Sequence, residues 1–503
     1  MASLKQLASQ TMWYGVSNIA AKLLNQLLTP IITYILNNPS GMVDYGNYTM
    51  LYAGISFINI VYTYGLETAY FRFAARKEED KEALFQTTFT SLLITTILLS
   101  ALLISVREPI SNYIDLGGHT EYITWAVLVI AIETLTVIPF ARLRQEGRPR
   151  KYAFVKVMGI VVNMLLTIYL IALCPGQVAA HPNTAFAQWY KSYTPVGFLL
   201  MANLGQLVFT FLMLYREWGS FRFRFDAALW KKLLAYCWPM LIVGMGGMVN
   251  ETIDRLMLPR LTPGTPDEQK IAVAIYSANY KIAIFISLFI QAFRMSAEPF
   301  FFNQAADRTA TTTYARVMKW FVITLCFAFL FTALYIDIWQ YFIGSQYRSG
   351  LPVIPILLAA NVALGVYYNL AVWYKVTDRM HMGMLITLAG AAITLIINYT
   401  LIPVYGMYAC AWATLAAYTS MMLLSWLLGQ KYFPVPYPLR RLGRYALATA
   451  ILFAVQQVVM RYTASSILHI TSATVLMGLF GLIVLRSEQE ELKALPLIGK
   501  WVK

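Results

Sequence analysis

The stretch Thr63–Glu82, TYGLETAYFRFAARKEEDKE, decides how the chain is read. It starts inside an apolar run and carries Glu67 between apolar neighbours. The aromatic pair Tyr70 and Phe71 follows, and from Arg76 to Glu82 every residue is charged. A carboxylate just inside a hydrocarbon span is costly, so it marks a functional position by default. The pattern returns in Ala297–Arg308, AEPFFFNQAADR. Placing Glu298 on Glu67 also places Ala305 and Ala306 on Ala74 and Ala75. An echo of this kind is what an internally repeated transporter shows.

Composition agrees. Of 503 residues, 59% are hydrophobic and only 13% charged, far from the balance of a soluble domain. Apolar runs of roughly 20 residues recur throughout, each long enough to cross a bilayer as a helix. The leading MASLKQLASQ reads as a short cytoplasmic amphipathic lead-in, without a small-residue cleavage site. The scattered Cys174, Cys237, Cys326 and Cys410 contain no CxxC pair, which disfavours a disulfide framework or metal centre. A net charge of +15 could suggest nucleic acid, but the basic residues sit in short loops between apolar runs.

Fourteen spans are expected, at roughly 12–36, 46–69, 84–106, 121–140, 152–173, 195–215, 236–258, 271–293, 317–337, 353–374, 383–402, 408–429, 445–463 and 470–485. An even number puts both termini on one side. About 30 of the 39 Lys and Arg residues fall in the termini and the loops on that side, about seven fall opposite, and Lys22 and Lys281 lie within spans. This bias makes the termini cytoplasmic. The longest outer loop, Pro175–Thr194, is too short for a separate domain. The Pro-rich YFPVPYPLRRL at Tyr432–Leu442 suits an interfacial linker before a final helix pair.

Laying the two halves together sharpens the repeat. Lys22, Asn25 and Pro30 fall on Glu251, Asp254 and Pro259, and Tyr48 and Tyr52 fall on Tyr276 and Tyr280. The expected fold is all-α and polytopic, with about fourteen transmembrane helices. Residues 1–216 form an N-lobe of spans 1–6, and residues 217–430 a C-lobe of spans 7–12. The lobes are related by a pseudo-two-fold along the membrane normal. Spans 13–14 and a cytoplasmic tail occupy residues 431–503.

The first span with its following turn, YGVSNIAAKLLNQLLTPIITYIL…DYGNYTMLY, then YGLETAYFRF and the second-half IYSANYKIA…AEPFFF, resemble the multidrug/oligosaccharidyl-lipid/polysaccharide exporter superfamily. The likeness is to its bacterial polysaccharide (O-antigen type) flippase branch. It implies a V-shaped pair of lobes that alternates access in the bacterial inner membrane. The cargo it implies is an undecaprenyl-diphosphate-linked oligosaccharide for cell-surface polysaccharide or lipopolysaccharide, moved from the cytoplasmic to the periplasmic leaflet. Glycosyltransferases and a polysaccharide polymerase are the implied neighbours.

Several residues could carry such transport. Asn18, Lys22 and Asn25 recur at helical spacing, as do Glu251, Asp254 and Arg255, and Ser277 with Lys281. Cationic positions suit a diphosphate, because Lys and Arg pair with phosphate oxygens. The carboxylates could bind a coupling Na+ or H+, or could hold the cations in place. Glu251, Asp254 and Arg255 can equally neutralise one another within one helix. Glu67 with Arg72, and Glu298 with Arg294, suit a gate or ion-coupling position near the cytoplasmic rim. Pro30, Pro259 and Gly246 are candidate bending points. Glu133 and Asp337 read as structural.

No phosphate loop, HExxH or GxSxG motif is present, and the four histidines are dispersed. The chain therefore reads as a transporter without catalytic residues, organic cofactor or structural metal. A lipid II flippase or a multidrug/cation antiporter shares the expected topology. A membrane polymerase or ligase would need acid–base groups in a large outer loop, and here only His181 and Lys191 qualify.

Overall fold

The bilayer requires each crossing segment to satisfy its own backbone, which a helix does within itself. A computed structural model describes residues 17–74, 80–304 and 310–493, and all regular elements among them are helical. The first, α1, covers 17–26 and Leu28–Ile35. It is followed by α2 (Pro39–Thr63), α3 (Lys81–Ser105), α4 (Glu121–Gln145), α5 (Pro149–Thr167), α6 (Pro195–Met213) and α7 (Ala227–Leu261). Then come α8 (Pro266–Gln304), α9 (Ala310–Ala333), α10 (Ile354–Leu370), α11 (Met380–Tyr405), α12 (Met407–Tyr432), α13 (Leu439–Tyr462) and α14 (Ser466–Ser487). Twelve, α3 to α14, are long and apolar enough to cross a membrane. The other two lie where the first two spans are expected. Interruption shortens α1, and Asp44, Asn47 and Asn59 make α2 more polar.

The interruptions have local causes. The break at Leu27 lies three residues before Pro30, whose ring opposes the carbonyl four residues back and which has no N–H to donate. The helix of the second expected span stops at Thr63. Tyr64 and Gly65 take positive φ values of 34° and 76°, and a separate helix, Leu66–Ala74, carries Glu67 in its first turn. Glycine suits that turn; a Cβ there would come within 2.9 Å of the Met240 Cβ. Past Thr167, α5 widens into a π-helical turn, Ile168–Leu173, and continues as Cys174–Ala180. Pro175 cannot donate to the carbonyl of Ile171, and the wide turn accommodates that loss. Side-chain caps start other helices: Asn38 accepts from Gly41 N–H at 2.7 Å, and Asp226 accepts from Ala228 and Leu229 at 2.9 and 3.0 Å.

Two compact units are present. One comprises Met1–Ala278, Gly344–Tyr347 and Thr387–Ala413. Its core includes Leu66, Tyr70, Phe85, Ile138 and Leu233, and a second cluster around Tyr62, Tyr122, Ile130 and Leu200. The other comprises Asn279–Ile343, Arg348–Ile386 and Thr414–Lys503. Phe301, Tyr314 and Val372 pack there with Val435, and Ala360, Tyr367 and Ile386 with Tyr418. Apolar side chains also cover the outside: Leu98 and Leu102 of α3 are 64% and 58% exposed, and Ile467 of α14 is 77% exposed. Water would penalise such surfaces, whereas lipid accepts them.

Within each unit the helix ends pair as an alternating chain requires. In the first unit, Arg142 at the end of α4 reaches Glu82 at the start of α3 at 3.3 Å. Buried Glu217, beyond α6, binds Arg148 at 2.8 Å and Lys151, at the start of α5, at 2.6 Å. In the second unit, buried Lys319 near the start of α9 binds Glu488, past α14, and reaches Glu491 at 2.6 Å. Tyr445 near the start of α13 donates to Glu488 at 2.7 Å, and Arg441 lies 3.4 Å from it. The other ends of the same three helices also meet. Asp337, just beyond α9, contacts His469 of α14 at 2.5 Å, and His469 contacts the Thr463 carbonyl, past α13, at 3.0 Å.

Burial by itself raises the Glu491 carboxyl, but hydrogen bonds from Lys319 and Trp320 prevail and hold it below its usual range. A depressed carboxylate stabilises the fold above its ordinary pKa and loses that contribution as pH falls through the depressed value. The stability difference between wild type and Glu491→Gln should therefore hold steady from neutral pH to about pH 5 and vanish at strongly acidic pH, by thermal unfolding in detergent. Glu488→Ala, which strips a partner from a buried lysine, should cost about 3 kcal/mol. Half-exposed Arg441→Ala should cost less than about 1 kcal/mol in the same assay.

Candidate functional site

Most of the polar positions on the leading helices lie in the first unit. On α1, the Tyr152 hydroxyl donates to the Asn18 side-chain oxygen at 3.1 Å. Lys22 and Asn25 are exposed on the same helix. Their neighbour Gln26 is buried, and its side-chain oxygen has no hydrogen-bond partner.

Helix α7 supplies the densest cluster. Buried Asn250 donates to the Thr387 carbonyl at 3.2 Å and accepts from the Thr394 hydroxyl at 2.9 Å, fastening α7 to α11. One turn on, Asp254 is 3% exposed. Its Oδ2 accepts from the Tyr276 hydroxyl at 2.6 Å, and its Oδ1 from the Arg255 backbone N–H at 2.8 Å. The Arg255 guanidinium lies 3.3 Å from Oδ1, donates to the Glu251 carbonyl at 2.7 Å and stands 6.0 Å from the Tyr276 ring centre. A buried carboxylate is thus held by a phenol, an amide and a guanidinium, while the Glu251 side chain is exposed. Ser277, next to Tyr276, is buried with an unpartnered hydroxyl. Lys281, one turn further along α8, is half-buried and belongs to the second unit.

The gate candidates take partners that sequence spacing does not show. Glu67 binds Arg144 at the end of α4, whose guanidinium also lies 4.4 Å from the Phe71 ring centre. Arg72 instead lies over Tyr236 of α7 at 4.5 Å. In the second unit Arg294 covers Tyr368 at 4.1 Å. The Glu298 side chain lies outside the described residues. Of the bending candidates, Pro30 follows the α1 break, whereas α7 runs through Pro259 unbroken to Leu261. Gly246 packs against α11, where a Cβ would meet Leu388 and Thr387 at an ordinary contact distance of 3.4 Å. Glu133 is partly buried on α4, within electrostatic reach of Lys156.

Sequence reading also misses a close contact at the other end of this unit. A Cβ on Gly46 of α2 would sit 2.2 Å from the Lys270 carbonyl oxygen. The Lys270 ammonium itself binds Asp115 at 2.7 Å. Gly344 donates to the Thr33 hydroxyl at 3.2 Å, and the Tyr347 hydroxyl to the Leu36 carbonyl at 2.8 Å. Segments from both halves of the chain therefore meet there, with no room for a side chain at position 46. A lone glycine between Tyr45 and Asn47 gives no hint of this. Among the described residues, no His, Cys, Asp and Glu group is arranged to hold a metal ion.

A family model described as polysaccharide biosynthesis protein matches residues 7–305. No curated protein matches the chain. Among solved structures, the lipid II flippase MurJ in an inward closed conformation is similar, with a TM-score of 0.69 at 12% identity, covering 95% of this chain and 99% of that one. An outward-facing multidrug resistance MATE transporter of the MOP superfamily gives a TM-score of 0.59 at 14% identity, covering 88% and 96%. An inward-facing MATE structure gives 0.55 at 14% identity, covering 87% and 95%.

The Asp254 cluster predicts unequal costs within one helix turn. Asp254→Ala leaves the Tyr276 hydroxyl and Arg255 without their acceptor and should cost about 2–4 kcal/mol. Exposed Glu251→Ala should stay within about 0.5 kcal/mol of wild type. Thermal unfolding of the purified proteins in one detergent measures both.

Proposed function

The chain belongs to the polysaccharide biosynthesis protein family, and we propose that it is a flippase for an undecaprenyl-diphosphate-linked oligosaccharide. Its fold, shared with MurJ and the MATE transporters, is that of a membrane transporter and suits this reading. In the proposal, lobes 1–216 and 217–430 alternate access in the bacterial inner membrane with both termini cytoplasmic, and 431–503 is appended. Glycosyltransferases would supply the cargo and a polymerase would consume it.

The observation that carries the proposal is the meeting of both halves of the chain at one end of the first unit. There Gly46 abuts Lys270, and Gly344 and Tyr347 bond to Thr33 and Leu36. The loop alternation assigns this end to the periplasm. A bundle closed there and loaded from the cytoplasm is one of the two states that alternating access requires.

In this reading Lys22, Lys281 and Arg255 meet the diphosphate or an acidic sugar, because cations on apolar helices are costly unless used. Asn18, Asn25 and Ser277 add neutral polar contacts. Glu67, Glu251, Asp254 and Glu298 are the coupling or gating carboxylates, for Na+ or H+ if transport is driven by an ion. Arg72 and Arg294 stay near the inner rim.

The test is reconstitution of the full chain into liposomes with a fluorescent polyprenyl-diphosphate oligosaccharide and a membrane-impermeant quencher. Wild type should move the cargo unchanged in length. Lys22→Ala should slow flipping about tenfold or more with normal insertion, as expected for one lost charge-assisted contact. Lys22→Arg should recover much of the rate. Wild-type flipping by Lys22→Ala would remove that residue from the pathway, and elongation of the sugar would point to a polymerase instead.

A further inference from the structure

Helices α8 and α9 enclose an open groove of about 760 Å³ in the second unit. Its lining is almost wholly apolar and includes Phe289, Ala292, Phe293, Trp320 and Thr324. Phe293 stacks on Phe321 with ring centres 3.9 Å apart, which fixes the wall, and Phe289 is 57% exposed at the opening. Both helices are long and apolar enough to cross a membrane, and the exposed Phe289 at the opening is a side chain that hydrocarbon accepts more readily than water. One end of the groove is cationic, where Arg316 joins the lining.

That end already holds an anion. The Glu491 carboxylate, brought in from beyond α14, accepts from Arg316 Nε at 3.2 Å, from Trp320 Nε1 at 2.9 Å and from Lys319 Nζ at 2.6 Å. A guanidinium has five donors. Glu491 engages Nε, and the Arg316 side chain is 57% exposed. An oxyanion arriving from the membrane surface finds the rest of that fork in position, and a phosphate matches its geometry.

We propose that this groove is a binding site for an anionic membrane phospholipid. An acyl chain lies along the Phe289–Phe293 wall, and the phosphate sits at Arg316, sharing that end with Glu491. A single cationic end on an apolar wall suits an amphiphile with one charged headgroup, and a phospholipid joins a phosphate to acyl chains in that way. None of the lining residues is among those assigned to the transport pathway above.

Trp320 provides the readout. The full chain in detergent is titrated with phosphatidylglycerol brominated on its acyl chains, and in parallel with brominated phosphatidylcholine. The quenching of Trp320→Phe is subtracted from that of wild type to isolate the one indole. The expected result is saturable quenching with about fivefold preference for phosphatidylglycerol, the scale of a partly exposed ion pair. Arg316→Ala should erase the preference, Ala292→Trp should fill the groove and abolish the Trp320 component, and Glu491→Gln should tighten phosphatidylglycerol binding. Equal, non-saturating quenching by both lipids that Arg316→Ala leaves unchanged would reduce the groove to ordinary lipid contact and overturn the proposal. Displacement by undecaprenyl phosphate at lower concentration than by unbrominated phosphatidylglycerol would also overturn it, assigning the groove to the carrier.

Discussion

The cost of leaving a charge in hydrocarbon governs this molecule. It clears the interior of most ionisable groups and drives those that remain toward the helix ends, where they find each other. Glu217 between Arg148 and Lys151, and Glu488 between Lys319 and Arg441, are the results. These contacts join ends that are distant in sequence and identical in side. Each unit is thereby pinned in register by electrostatics, while its lipid-facing surface is left to Leu, Ile and Phe.

The same cost makes the exceptions informative. Asp254 stays inside only because Tyr276, the Arg255 amide and its guanidinium surround it. Lys22 is exposed on α1, which also carries Asn18, Asn25 and Gln26. A long side chain can carry its charge some distance toward a polar phase, so exposure on a span is compatible with contact to a headgroup. Asn250 shows a third solution, a neutral amide whose donor and acceptor are both engaged by α11.

The helices α1 to α14 at the expected places among the described residues were legible in the sequence because length and hydropathy are properties of a segment by itself. The breaks were less so. Pro30 announces a disturbance, but its effect falls at Leu27, a turn earlier, and nothing in TYGLE distinguishes a bend from a continuing span until Gly65 is seen at positive φ. Partner choice was not legible at all. Glu67 has Arg72 five residues away, yet it binds Arg144, because the fold brings the end of α4 beside it while Arg72 turns to Tyr236. Spacing along one helix cannot report a neighbour supplied by another.

Gly46 has a consequence of its own. Its α-carbon faces the Lys270 carbonyl across a gap that a single methyl would overfill. Residues of increasing bulk at that one site would act as spacers of graded thickness, inserted between α2 and the first turns of α8. Such a series would turn this contact into a ruler: the smallest spacer that lowers stability would show how closely the two helices are packed.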